Sequence, residues 1–105
     1  MNIYILLFGA IALEVSGTML LPLSQGFTKI IPSALSVLFY CLSIYLLSIT
    51  VQKLPIAIVY ASWAGLGVFT VALLGYIFYK QPLNWQTIIG LFLIIVGVIL
   101  VNIFK

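Results

Sequence analysis

The sequence predicts an all-α integral membrane protein of four transmembrane helices, and three observations carry that reading. The chain is 66% hydrophobic and 5% charged, with a mean hydropathy of +1.42, so it lacks the polar surface that keeps a soluble domain dispersed. Lys29, Lys53, Lys80 and Lys105 divide the 105 residues into four stretches free of basic charge. Each is long enough to cross a hydrocarbon core of roughly 30 Å with about 20 residues. Proline, glycine and amide side chains gather near the first three lysines, where turns belong.

The first helix is expected from about residue 3 to 21, ending at Pro22 because proline stops a helix unless a kink is wanted. Residues 23–29 then form a loop. The second helix is expected over 32–51, starting at Pro32 and Ser33, since proline suits a first helical turn. Gln52, Lys53, Leu54 and Pro55 make the next connection. The third helix is expected over 56–78, a turn over 79–84, and the fourth helix over 85–104. Tyr4, Tyr79 and Trp85 fall at the water interfaces, where amphipathic rings anchor helices. The whole chain, 1–105, reads as one domain. The first apolar run is too long for a cleaved signal segment, has no basic residue ahead of it and contains an acid, which argues against a targeting role.

Four spans place Lys53 and Lys105 on the side of the amino end, and Lys29 and Lys80 opposite. Orientation normally follows an excess of Lys and Arg on the cytoplasmic side. Here the count is two against two, apart from the terminal amine, so the subunit is expected to insert both ways; the alternative is a single orientation enforced by loop length or a partner chain.

Glu14 is the only acidic residue in the chain, and it falls in the middle of the first apolar run. An acid at a helix centre costs about 2.5–3.5 kcal/mol on insertion scales, so it is read as functional. At helical spacing its face carries Leu7, Ala10, Ile11, Gly17, Thr18 and Leu21. Small residues there allow close approach, and Gly17 is expected to leave open space one turn from the carboxylate. Desolvation disfavours the charged form of a buried acid, which suits Glu14 to carrying a proton. The plainer alternative is helix packing around a neutral, hydrogen-bonded acid.

Tyr60 and Trp63 share a face with Gly67 on the third helix, and Tyr40 and Ser43 repeat that spacing on the second. An aromatic pair at this spacing is commonly core, but rings near a lone anion suit a hydrophobic organic cation through charge pairing and cation–π contact. Such a site has few rigid donors and would discriminate little among guests. Gly65 and Gly67 can permit a kink in mid-helix. Gly90 and Gly97, seven apart, could let two copies of the fourth helix meet closely.

Enzyme chemistry finds little to work with. The chain has no histidine, one acid and one cysteine, which excludes a Ser-His-Asp triad, a paired-carboxylate mechanism and an ordinary metal site. No cofactor is implied. Cys41 reads as a packing residue. The lysines are dispersed, so the basic pI of about 9.2 reflects scarce acids, with no nucleic-acid patch.

The residues 12–18 (Ala-Leu-Glu-Val-Ser-Gly-Thr), 25–29 (Gln-Gly-Phe-Thr-Lys) with Pro32 and Ser33, Leu54-Pro55, 60–67 (Tyr-Ala-Ser-Trp-Ala-Gly-Leu-Gly), and Gly90, Gly97 and Asn102 resemble the small multidrug resistance family over essentially the whole chain. The resemblance implies a multi-pass transporter of the bacterial inner membrane that pairs as an antiparallel homodimer and exports quaternary ammonium and other hydrophobic cations in exchange for protons. It implies that the two copies of Glu14 bind proton or drug in turn. Tyr60, Trp63, Tyr40, Gly17, Thr18, Ser43 and Ala10 would complete the site, Gly65 and Gly67 the hinge, and Gly90 and Gly97 the dimer seam. The guanidinium-exporting branch has tryptophan where this chain has Gly17, so the quaternary-ammonium branch fits better. The remaining alternatives are a subunit of an unequal pair and a noncatalytic membrane subunit whose Glu14 meets a partner's charge. Pro22 stands where the family usually has lysine, and Gln25 where it usually has an acid.

Overall fold

A computed structural model describes residues 2–104 as four helices: α1 (Ile3–Ser24), α2 (Ile30–Thr50), α3 (Ile56–Tyr79) and α4 (Trp85–Ile103). All four are long and apolar enough to cross a membrane. Lys105 lies outside the described residues. Side-chain amides start two of the helices: Asn2 accepts from the Tyr4 amide at 2.9 Å, and Asn84 from the Thr87 amide at 2.8 Å. These caps satisfy backbone donors that a helix cannot satisfy itself.

Pro22 does not end α1, contrary to the sequence expectation. The helix continues through it to Ser24. Proline within the last turn deprives only the Thr18 carbonyl of its usual donor, and the chain needs no further turns beyond it. Ser24 closes the helix: its hydroxyl donates to the Leu21 carbonyl and accepts from the Phe27 amide, and its carbonyl takes the Thr28 and Lys29 amides. Gln25, Gly26 and Phe27 then turn the chain with φ of 48°, 72° and 65°, a left-handed run that only glycine adopts without strain. α2 likewise begins earlier than expected, at Ile30, with Pro32 inside its first turn, where a missing N–H costs nothing.

Two contacts set the direction of α2 against α1. Ser36 donates to the Gly17 carbonyl at 2.9 Å and Ser43 to the Ala10 carbonyl at 2.7 Å. Seven residues forward on one helix match seven back on the other, so the pair is antiparallel. α3 runs with α1: the Tyr79 hydroxyl, at the far end of α3, donates to the Met19 carbonyl at 2.6 Å. Tyr79, expected from the sequence to be an interface anchor, therefore ties α3 to α1. α4 runs back along α3 through Asn102 to Ser62 (2.8 Å), Val98 against Gly65, and an edge-on Phe92–Phe69 pair at 5.8 Å.

The helices thus lie side by side in the order α2, α1, α3, α4, with α1–α2 the most intimate pair. The extents of 42 × 35 × 18 Å describe a slab thinner than two helix diameters of about 10–12 Å each. Among the described residues the apolar core is small, consisting of Leu7, Ile11 and Val15 on one stripe of α1 with Val59 of α3. Large apolar side chains such as Ile30, Ile31, Leu93 and Phe104 point outward, as they can where lipid is the solvent. Lipid gives no hydrophobic drive between helices, so hydroxyl-to-carbonyl bonds and small residues take over the packing.

Candidate functional site

Glu14 stands halfway along α1 and is half-buried at the edge of the α1–α3 seam. A cleft of about 430 Å³ opens over it, walled by Thr18 of α1 and by Trp63, Ala64, Gly67, Val68, Val71 and Ala72 of α3. The α3 wall consists of two parallel rows at spacing four, 63-67-71 and 64-68-72. Apart from Trp63 these residues are small or short, which leaves the space above the acid free.

The two carboxylate oxygens have different surroundings. Oε1 accepts from the Thr18 hydroxyl at 2.8 Å. Oε2 lies 3.1 Å from the point where a Gly67 Cβ would stand, and has no hydrogen-bond partner among the described residues. The Thr18 hydroxyl is also 2.7 Å from the Tyr40 hydroxyl of α2. A threonine has one hydrogen to give; when it goes to an ionised Glu14, Tyr40 must be the donor of the second bond. The three groups form a chain from α2 through Thr18 to the acid.

Trp63 forms the cleft wall and also lines a neighbouring apolar groove of about 260 Å³ between α2 and α3, together with Tyr60. The two rings meet edge to face at 5.9 Å and 84°. The Trp63 indole N–H is buried, and it is the one such side-chain atom among the described residues with no partner. A buried unpaired donor costs about 1–3 kcal/mol, a cost that Trp63 carries.

The structure thus brings Glu14, Thr18, Trp63 and Gly67 together and sets Tyr60 behind Trp63, 66% exposed. Five other residues taken from the sequence are placed outside the cleft. Ser43 and Ala10 are buried against each other in the α1–α2 seam. Gly17 leaves no open space: a Cβ there would meet the Ser36 carbonyl oxygen and the Tyr40 ring at 3.1 Å. Tyr40 does not line the cleft and reaches Glu14 only through Thr18. Gly65 is packed under Val98 and Ile94 of α4, a close approach in place of the free space a hinge would need. By contrast, a Cβ at Gly90 or Gly97 would meet nothing within 4 Å.

Sequence reading missed Ala64, Val68, Val71 and Ala72, although their spacing of four in register with Trp63 and Gly67 was a usable signal. It also missed Ser36 as the second α1 anchor.

The match to known sequences agrees with this arrangement. The Small Multidrug Resistance protein family model covers residues 2–94. The chain belongs to the small multidrug resistance family. It is 44% identical to the multidrug transporter EmrE of Escherichia coli (strain K12) over 97% of this chain and 93% of that protein. It is 45% identical to the quaternary ammonium compound-resistance protein QacC of Staphylococcus aureus, over 96% of this chain and 94% of that one. QacG of a Staphylococcus species (strain ST94), likewise a quaternary ammonium compound-resistance protein, is 42% identical over the same shares. As a member of this family the chain is a four-helix integral membrane protein.

Proposed function

We propose that this protein exports quaternary ammonium and other hydrophobic cations from the bacterial cytoplasm across the inner membrane in exchange for protons, with Glu14 as the shared site. The observation that carries the reading is the cleft itself. The only acid in the chain faces, at mid-membrane depth, a space of about 430 Å³ whose walls are apolar apart from Glu14, Thr18 and the indole of Trp63. An anion in apolar surroundings is stabilised by a cation or neutralised by a proton. One carboxylate cannot hold both, and that exclusion is the coupling of an antiporter. Trp63, backed edge-on by Tyr60, offers a ring face for cation–π contact.

The slab has no far wall over Glu14, so the site requires a second surface. An inverted copy of the same subunit supplies one, with a second Glu14 opposite. The even distribution of lysines favours such an antiparallel homodimer, and the unoccupied surface at Gly90 and Gly97 is where two α4 helices would approach. Alternating access then presents the shared chamber to each side in turn. Gly67, next to the carboxylate, is the better placed of the two candidate hinge residues. Gly17, packed between Ser36 and Tyr40, has no room for the tryptophan of the guanidinium branch, which favours the quaternary-ammonium reading.

The test is proton release from detergent-solubilised protein on adding tetraphenylphosphonium. Release by the parent and none by Glu14→Gln is expected; equal release from both rejects the scheme. If Glu14 instead paired with a partner protein's charge, Glu14→Gln would disrupt assembly.

A further inference from the structure

We infer that Tyr40 is a positioning residue that acts on Glu14 through Thr18, and that this hydroxyl chain reverses its hydrogen-bond direction whenever Glu14 gains or loses a proton. The inference rests on the proposed proton exchange at Glu14 and adds to it a second helix that registers the exchange.

The geometry permits both directions. With Glu14 ionised, Oε1 accepts from Thr18 at 2.8 Å, and Thr18 accepts from Tyr40 at 2.7 Å. A proton arriving at the carboxyl group has two places to go. On Oε2, above Gly67, it finds no acceptor among the described residues. On Oε1 it faces the Thr18 oxygen and is paired, and the one spare hydrogen of the chain then stands on Tyr40 instead of on the acid. The acid then donates to Thr18, and the single Thr18 hydrogen turns to the Tyr40 oxygen. The Tyr40 hydrogen is released from the chain. No heavy atom has to move, since both separations suit an O–H···O bond in either sense.

The α1–α2 seam makes this a switch of hydrogens with no accompanying shift of helices. Ser36 and Ser43 anchor α2 to the Gly17 and Ala10 carbonyls on either side of Tyr40, which holds the phenol in register with Thr18. The bare Gly17 lets the Tyr40 ring lie close against α1. Tyr40 is the titratable group that α2 turns toward the acid. α3 presents Trp63 and small apolar residues, and α4 packs on α3 away from it. Hence the state of the acid is passed to α2 by one route, through Thr18.

The consequence for transport is electrostatic. While Glu14 is an anion ready for a cation, the chain ends in a phenol that donates inward and keeps its lone pairs outward. Once Glu14 holds a proton, the same phenol accepts inward and its hydrogen faces outward. The row of hydroxyl dipoles therefore points at the acid while it is an anion and away from it once it is neutral.

The experiment uses full-length protein in detergent carrying tyrosine labelled with carbon-13 at Cζ, whose resonance responds to whether the phenol donates or accepts. The Tyr40 signal is assigned by its loss in Tyr40→Phe. Expected is a Tyr40 shift between two values across the same pH interval in which tetraphenylphosphonium releases protons. That shift should be lost in Glu14→Gln and in Thr18→Val, and kept in Thr18→Ser. A Tyr40 resonance that stays fixed in the parent while protons are released overturns the relay and leaves the antiport reading standing. A shift that persists undiminished in Thr18→Val also overturns it, because the field of Glu14 would then act through space. A parent that releases no protons overturns the antiport reading itself, and the relay with it.

Discussion

The carboxylate of Glu14 and the backbone of Gly67 are in direct apposition: Oε2 is 3.1 Å from where a Cβ on Gly67 would lie. Gly67 therefore has a role in the cleft apart from any bending of α3. Its missing side chain makes the room in which the acid stands. Gly67→Ala is expected to push the carboxylate from the cleft floor and weaken tetraphenylphosphonium binding about tenfold, equivalent to roughly 1.4 kcal/mol. Isothermal titration calorimetry in detergent checks this. An unchanged Kd with slowed transport would assign Gly67 to hinge motion alone.

Ser43 tests the opposite case, a residue that looked like part of the binding site and is instead engaged in packing. Its hydroxyl is buried on the Ala10 carbonyl, as that of Ser36 is on Gly17. Interhelical hydrogen bonds in membranes average about 0.6 kcal/mol. Ser43→Ala and Ser36→Ala should each destabilise the α1–α2 pair by roughly that amount, as read by reversible unfolding in mixed micelles. Cation affinity should stay within about twofold, a change of less than ~0.5 kcal/mol. A large loss of affinity in Ser43→Ala with unaltered stability would return Ser43 to the site.

Much of the fold was legible because a bilayer demands long apolar helices, and lysines and prolines mark their ends. α3 and α4 fall within a residue of their expected limits. α1 outran its limit because a proline near a helix end removes only one internal bond, a cost that sequence rules assign in full. Glu14 and Trp63 were legible by chemical contrast with their surroundings. The fates of Gly17, Ser43 and Gly65 were not, because small residues serve packing and cavities alike, and only the neighbouring helix decides between them. Tyr40 shared this ambiguity: its spacing from Ser43 placed both on one face of α2, but nothing in the sequence showed that Thr18 stands between its hydroxyl and the acid.

Gly65 gives a sharper test of that ambiguity. A Cβ there would run into the Val98 side chain, which is buried and, being β-branched, is held in one rotamer on a helix. Gly65→Ala is expected to separate α3 from α4 at a cost of about 1–3 kcal/mol, the usual range for overpacking. Val98→Ala in the same chain should recover most of it. Thermal unfolding of the two single variants and the double variant measures the coupling. Additive losses would show that Gly65 is needed for flexibility and not for contact.

The lysine balance carries the last prediction. α1 and α3 rise together and α2 and α4 return, so Lys53 sits at one end of the slab and Lys29 and Lys80 at the other. By its place in the sequence Lys105 counts with Lys53, which makes two against two, and apart from the terminal amine neither side has the excess that would fix an orientation. A reporter fused to the carboxyl end should therefore give comparable signals for both orientations. Gln52 is exposed in the loop beside Lys53, so Gln52→Lys should keep that end cytoplasmic in most copies. If opposed subunits complete the site over Glu14, the same variant should lose resistance to quaternary ammonium compounds, and co-expression with a variant biased the other way, Gln81→Lys in the α3–α4 turn, should restore it. A single fixed orientation in the parent, or full resistance from Gln52→Lys alone, would mean that the far wall of the cleft is not an inverted copy of this chain.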